Sequence, residues 1–363
     1  AVEVGLVDLA VQAVDGTKIA ANAAGDQTHD AEGIERLLTR TEEAIRDLES
    51  QNEGSDDPDP PRLPSELAKA HALRDRIEAA MERIADDTRL KRVNLTDEDA
   101  QLMKGRQGIQ PAFNAQTVVS PLNTDKTGTG GMIVTAADVN DRASDHAQLI
   151  PMLQQSEETI GTRVPVTLAD GGYHNAANLK AGDERGDVLV MPERYHAGVR
   201  GPYFKDRFVH DAASDSYLCP QGQRLHFRGL HKNNGKISGR YRLYRASAPV
   251  CHSCPAYGTC TKDRHSGRAL WIGPNDALIR KHRQWMSTET AQRLYARRQG
   301  IVEPVFGILK EQQDARRFLL RGLAHVQAEF RLLATAFNLR TLWRWWKRQP
   351  GNPPMDPPES VPV

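Results

Sequence analysis

Strand-like segments alternate with helix-like ones along the first half of this chain, and that order does most to limit its fold. Val11–Ile19 (VQAVDGTKI) roughly alternates apolar and polar residues, as a strand does, although Asp15-Gly16 is also a hairpin-turn pair. From about 30 to 91 the apolar spacing becomes helical: Ile34, Leu37, Leu38, Ala44, Ile45 and Leu48, then Leu67, Ala70, Leu73, Ile77, Met81 and Ile84. QNEGSDDPDPPRLP between the two sets reads as a loop, so a helical hairpin is expected between strands. Residues 112–120 (AFNAQTVVS) and 132–139 (MIVTAADV) read as a β pair, and PLNTDKTGTGG between them has hairpin chemistry.

A helix capped by Asp145 is expected over about 145–159, then a strand at PVTLAD (165–170). Gly171-Gly172-Tyr173 turns sharply, a helix starts near Asn175, and DVLVM (187–191) is a short buried strand. Residues 193–275 read as irregular. Helices are expected over 288–317, with Gly300 and Pro304 as candidate break points, and over 324–347. The Pro-rich tail GNPPMDPPESVPV reads as disordered. The sum is a mixed α/β sheet with helices on its faces.

The chain has 363 residues, 39% apolar and 26% charged, which suits one large domain with insertions or two to three smaller ones. No run of about 18 apolar residues offers a membrane span, and no signal peptide opens the chain. Four cysteines do not make a disulfide framework in a chain this long, so the expected compartment is the cytosol. There is no initiator Met and the first strand begins almost at once, so an upstream region is expected to be missing. The net charge of +1 hides an asymmetry: Lys262 to Arg348 holds 18 Lys and Arg against 7 Asp and Glu, a net of +11. A polyanion partner and a well-solvated helical surface both fit that excess.

Three carboxylates sit where phosphoryl-transfer chemistry would want them: Asp15 within the first strand, Asp170 at the end of a later one, and Glu303 on a basic helix. Attack on a phosphodiester needs an activated oxygen nucleophile and charge relief at the leaving oxygen. Two hard divalent ions held by carboxylates supply both. Blander roles also fit, since an Asp before Gly-Gly is often a turn former and a lone helical Glu is usually solvated. Asp97, Asp99, Asp138, Asp141 and Asp145 are rival carboxylates.

These residues resemble a known family, the DDE transposases of bacterial insertion sequences, over most of the chain. VDGTKIAANA resembles the family's first-aspartate strand, with Asp15 in that role. FNAQTVVS and VTAADVNDRASDHAQLIPML resemble the strand pair and helix that follow, and ADGGYHNAANL the second-aspartate motif at Asp170. YARRQGIVEPVFGILK resembles the signature Tyr-x2-Arg-x3-Glu-x6-Lys, falling on Tyr295, Arg298, Glu303 and Lys310. Four residues, not three, separate Arg298 from Glu303, so strict spacing would put Gln299 in the Arg position. Seven residues bring Lys310 back to nearly the face of Glu303.

The resemblance implies a ribonuclease-H-like fold whose Asp15, Asp170 and Glu303 bind Mg2+ or Mn2+. It implies DNA contacts by Tyr295, Arg298 and Lys310, and cleavage and strand transfer at insertion-sequence ends. A homo-oligomer on double-stranded transposon ends and target DNA, working in the nucleoid-containing cytoplasm, would follow. An inactive truncated remnant that still binds DNA, or a nuclease of this fold without strand transfer, are the alternatives.

Cys219, Cys251, Cys254 and Cys260 follow C-x31-C-x2-C-x5-C in turn-rich sequence, which suits tetrahedral Zn2+, with His252 and His265 as substitutes. Four reduced cysteines without metal are the other reading. Around them Lys232, Lys236, Arg240, Arg242, Arg245, Lys262, Arg264 and Arg268 interleave with Tyr241, Tyr244, Tyr257 and Trp271, a mix that suits phosphate contact and base stacking. The expected organisation is a first catalytic strand over 1–29, a helical hairpin over 30–95 and a catalytic core over 96–192. A Cys-containing insertion over 193–275, catalytic helices over 276–348 and a tail over 349–363 complete it.

Overall fold

A computed structural model describes residues 1–53, 65–87, 90–105, 108–123, 130–193, 201–232 and 240–349. The chain runs β1 (Val11–Ala20), β2 (Thr28–His29), α1 (Ala31–Glu53), α2 (Ser65–Asp86), β3 (Val93–Asn94), β4 (Gln101–Gly105), β5 (Gly108–Pro121) and β6 (Met132–Asn140). Then come α3 (Leu149–Ile160), β7 (Val166–Ala169), α4 (Ala176–Arg185), β8 (Val188–Val190), β9 (Val209–Asp211), β10 (Ser216–Leu218), β11 (Arg224–Lys232) and β12 (Arg240–Arg245). It closes with α5 (Ala248–His252), β13 (Ala269–Ile272), α6 (Asp276–Met286), α7 (Glu289–Gln312) and α8 (Leu323–Trp346). The result is a mixed β-sheet flanked by helices, compatible with the α/β expectation. Two compact units divide the chain, Ala1–Thr167 with Arg297–Val363, and Leu168–Ala296.

In the first unit β5 is the spine. It pairs antiparallel with β1 along one edge and with β4 and then β6 along the other. All ten residues from Pro111 to Ser120 are buried, as are Val11 to Val14 of β1. Both faces of these strands are covered, so polar residues such as Gln12, Asn114 and Gln116 are buried along with the apolar ones. Some of the buried polar side chains among them are hydrogen-bonded, whereas Thr117 Oγ1 and Ser120 Oγ have no partner among the described residues. Gln12 donates to Thr167 Oγ1 of β7 at 3.1 Å and accepts from Ser156 Oγ of α3 at 3.2 Å, and Ser156 Oγ lies 2.7 Å from Thr135 Oγ1.

Several expectations change. Asp15-Gly16 makes no turn, because β1 runs straight through it, paired with Thr117 and Gln116. The helical hairpin forms, with Ile34, Ile77 and Ala80 packed on Val93 and Leu95, but its base is tied by β2 and β3, whose two-residue length leaves no periodicity to read. Asp145 caps nothing: α3 begins at Leu149 after Gln148, which makes no side-chain cap. α7 is one helix, with Pro304 inside it and no break. The proline removes the bond to the Gly300 carbonyl, where glycine lets the backbone adjust. Most of the loop between α1 and α2, much of the β5–β6 connection, Lys236 and the tail from 350 lie outside the described residues.

The second unit corrects the reading of 193–275 as irregular. β9 to β13 form a five-stranded antiparallel sheet in the order β13-β12-β11-β10-β9. Its core is a small cluster of Phe208, Tyr217, Leu225, Tyr244, Ala246, Cys251 and Leu270. A bulge between Phe227 and Gly229, where Gly229 takes φ +144°, breaks the alternation that would have revealed β11.

Candidate functional site

Along a strand, successive side chains alternate between faces, so Asp15 and Thr17 share one face of β1 and Gly16 and Lys18 the other. The first face meets α7. Asp15 Oδ2 receives Arg298 Nη1 at 3.1 Å, the two side chains only 18% and 12% exposed, while Asp15 Oδ1 accepts from the Gly16 amide at 2.9 Å. Twelve residues further along α7, Lys310 donates to Thr17 Oγ1 and, at 3.4 Å, to the Lys18 carbonyl. Glu303 lies on the stretch between these two anchors, with its side chain exposed and Val302 and Val305 beside it buried. It is Arg298 that meets Asp15; Gln299, the residue strict spacing would have chosen, is exposed.

On the other face of β1 lies a group the sequence did not reveal as a unit. Asp145 Oδ1 accepts from Asn114 Nδ2 at 2.7 Å, Gln116 Nε2 at 2.8 Å and Lys18 Nζ at 3.3 Å. Asn114 and Gln116 are fully buried, so their amides are fixed acceptor-seekers and Asp145 serves them. The residue that local pattern makes a helix cap is instead a long-range acceptor.

In the second unit Asp170 follows β7 directly. Its Oδ1 accepts from the Gly172 amide at 2.7 Å and its carbonyl from the Tyr173 amide at 3.2 Å, which fixes the tight turn. Tyr173 is fully buried, and Asn175 caps α4 by accepting from the Asn178 amide at 2.8 Å. Tyr295, half-buried on α7, also belongs to this unit. Near the Asp170 turn in sequence, His174 packs on His282 of α6 with ring centroids 5.3 Å apart. Burial, helped by His174, pushes His282 down to about 4, although its Nε2 contacts the Leu189 carbonyl at 3.1 Å. The next residue, Arg283, is clamped between Glu193 and Asp206. The only sequence sign of this cluster was the His in the GGYHN stretch.

The four cysteines are free thiols that line one cavity, together with Arg268 and Tyr257. Burial pushes the Cys260 thiol up, and the proximity of Cys219, Cys251 and Cys254 adds to the rise while Arg268 opposes it. His252 and His265, the substitutes expected from sequence, are exposed and do not line this cavity. Among the described residues, no three His, Cys, Asp or Glu side chains stand gathered as a preformed metal site. Nor is any described helix long and apolar enough to cross a membrane.

Residues 218–343 match a family model described as a transposase DDE domain. The match takes in the cysteines, Tyr295, Arg298, Glu303 and Lys310, and leaves Asp15 and Asp170 outside it. No curated protein and no solved structure matches the chain.

Proposed function

We propose that this chain is a metal-dependent DNA transposase of the insertion-sequence type, which cleaves DNA at element ends and joins the freed ends to target DNA. The observation that carries the reading is the meeting of α7 with β1, Arg298 at Asp15 and Lys310 at Thr17. It sets the helix that bears Glu303 against the strand that bears the first aspartate. The transposase-domain match over 218–343 supports the same reading from the other half of the motif set.

Asp15, Asp170 and Glu303 offer hard carboxylate oxygens, the donor type that fits Mg2+ or Mn2+. Such ions, when bound, activate water and relieve charge at the leaving oxygen. Arg298 orients the Asp15 carboxylate through its 3.1 Å contact. Lys310 and Tyr295 are the groups assigned to DNA phosphate. The attacking oxygen belongs to water and then to the freed 3′-hydroxyl, so no Ser or Cys nucleophile is called on. Paired ends imply a homo-oligomer assembled on double-stranded DNA in the cytoplasm.

The test is Mg2+- or Mn2+-dependent nicking of DNA carrying the element's ends, by this chain and its Asp15→Ala, Asp170→Ala and Glu303→Ala variants. Each variant is expected to lose at least ~10³-fold in rate, about 4 kcal/mol of transition-state stabilisation, while salt-sensitive DNA binding persists. Normal cleavage by Asp170→Ala would sink the triad. Cleavage without joined products would make the enzyme a nuclease.

A further inference from the structure

We propose that Cys219, Cys251, Cys254 and Cys260 bind one structural Zn2+ that holds the five-stranded sheet together. The inference stands on the thiol cavity alone and does not depend on the chemistry at Asp15.

The four thiols come from separate turns and converge on one cavity. Cys219 opens a tight turn in which the Gly222 amide donates to the Cys219 carbonyl at 2.8 Å, with Gly222 at φ +75°. Cys251 lies on α5 and Cys254 just after it, its amide donating to the Cys251 carbonyl at 3.2 Å. Cys260 follows a further turn, its amide on the Ala256 carbonyl at 2.8 Å. Two backbone N–H groups are aimed at sulfur: Gln223 at Cys219 Sγ, 3.2 Å, and Arg268 at Cys251 Sγ, 3.3 Å. These N–H contacts tie the two sulfurs to their turns at the cavity wall. Arg268 also borders the cavity, so a positive side chain stands beside what would be a dianionic tetrathiolate centre.

The sheet needs such a clamp. Its apolar cluster is small, and Val209, Phe227, Leu230 and Trp271 are exposed on its strands. Small cores of this kind are often completed by a structural metal. Four soft sulfurs select Zn2+ over Mg2+ and leave no open position, so the site would be closed and structural. The sulfurs ring the cavity without yet forming a coordination shell. Cys219, Cys254 and Cys260 are half-buried, and binding would require the four sulfurs to gather to Zn–S distances of about 2.3 Å.

The experiment uses the full-length chain purified under reducing conditions without added metal. Metal analysis should find one zinc per chain, and Cys254→Ser should lose it. Removing the zinc with a chelator should strip hydrogen-exchange protection from β9 to β13 while β1 and β5 stay protected. Added Zn2+ should restore that protection and Mg2+ should not. If Cys254→Ser does not fold, Co2+ loaded into the stripped wild-type chain decides: strong visible bands of a tetrahedral thiolate site support the proposal, and their absence overturns it. Zinc-free protein with four freely reactive thiols, and β9 to β13 equally protected with and without chelator, also overturns it.

Discussion

The spine of the first unit and the sheet of the second are both antiparallel, yet they are held by different forces. β5 buries ten consecutive residues, and β1 contributes Val11 to Val14 to the same interior. Position there is fixed by apolar mass on both sides of the strand. The β9–β13 sheet leaves Trp271 49% and Phe227 37% exposed, and ties its strand ends with polar contacts. Arg224 Nη1 reaches Asp211 at 2.6 Å, Ser214 at 2.6 Å and Ser216 at 2.7 Å, and holds the Asp211 carboxyl down at about 2. Tyr244 donates to Asp215 at 2.7 Å on the same sheet. Under the proposed function, a carboxylate that must hold still for chemistry belongs on the first kind of scaffold, and Asp15 is there.

The largest expected effect tests that contrast directly. Phe113 is fully buried, with its ring edge-on to Phe318 at 5.9 Å. Phe113→Ala should cost ~3–5 kcal/mol in denaturant unfolding, the transfer loss plus a cavity. Trp271→Ala, at the half-exposed position, should cost under ~1 kcal/mol despite the larger side chain removed. Equal costs would break the comparison, because the second sheet would then rest on apolar burial after all.

Legibility followed the same division. β1, β6 and the Asn175-capped α4 were readable because their signals are local: apolar runs, a cap residue, a glycine turn. The β9–β13 sheet was not, because RLHFRGLHK and RYRLYR carry polar residues on both sides of a bulge. Of the site, the candidate residues were visible as motifs. The partnership of Arg298 with Asp15 was not, since 283 residues separate them and no local pattern encodes the contact. Asp145 shows the opposite failure: its local signal was a cap, and three distant donors outweighed it.

A second, somewhat smaller effect sharpens the view that the second unit leans on polar and charged groups. His282 is held neutral to about 4 by burial first and by His174 second, against an ordinary value near 6.5. The unfolded chain therefore binds a proton between pH 6.5 and 4 that the folded chain refuses. Stability should fall as pH drops through that window, by up to ~3 kcal/mol from this one group. His282→Gln keeps an amide donor for the Leu189 carbonyl and cannot titrate. Its unfolding free energy, measured from pH 7 to 4, should lack this part of the loss. Parallel pH profiles for the two proteins would remove His282 from the account.

The smallest effect probes how tightly the first unit is packed around polar atoms. A Cβ on Gly16 would fall 2.2 Å from Gln116 Nε2 and 2.9 Å from Asp145 Oδ1, closer than real Cβ contacts come. Gln116 is fully buried and already gives hydrogens to Asn114 and Asp145, so its amide cannot simply swing to water. Gly16→Ala should therefore cost ~1–3 kcal/mol, from overpacking and from a strained or lost buried bond. Because position 16 faces away from α7, the Asp15–Arg298 contact should survive, and metal-dependent nicking should fall less than stability does. Shortening the obstructing side chain supplies the control. In a double-mutant cycle, Gly16→Ala should cost clearly less in a Gln116→Ala background, a coupling of about 1 kcal/mol or more. Strict additivity would mean that room for Gln116 is not why glycine stands beside the first aspartate.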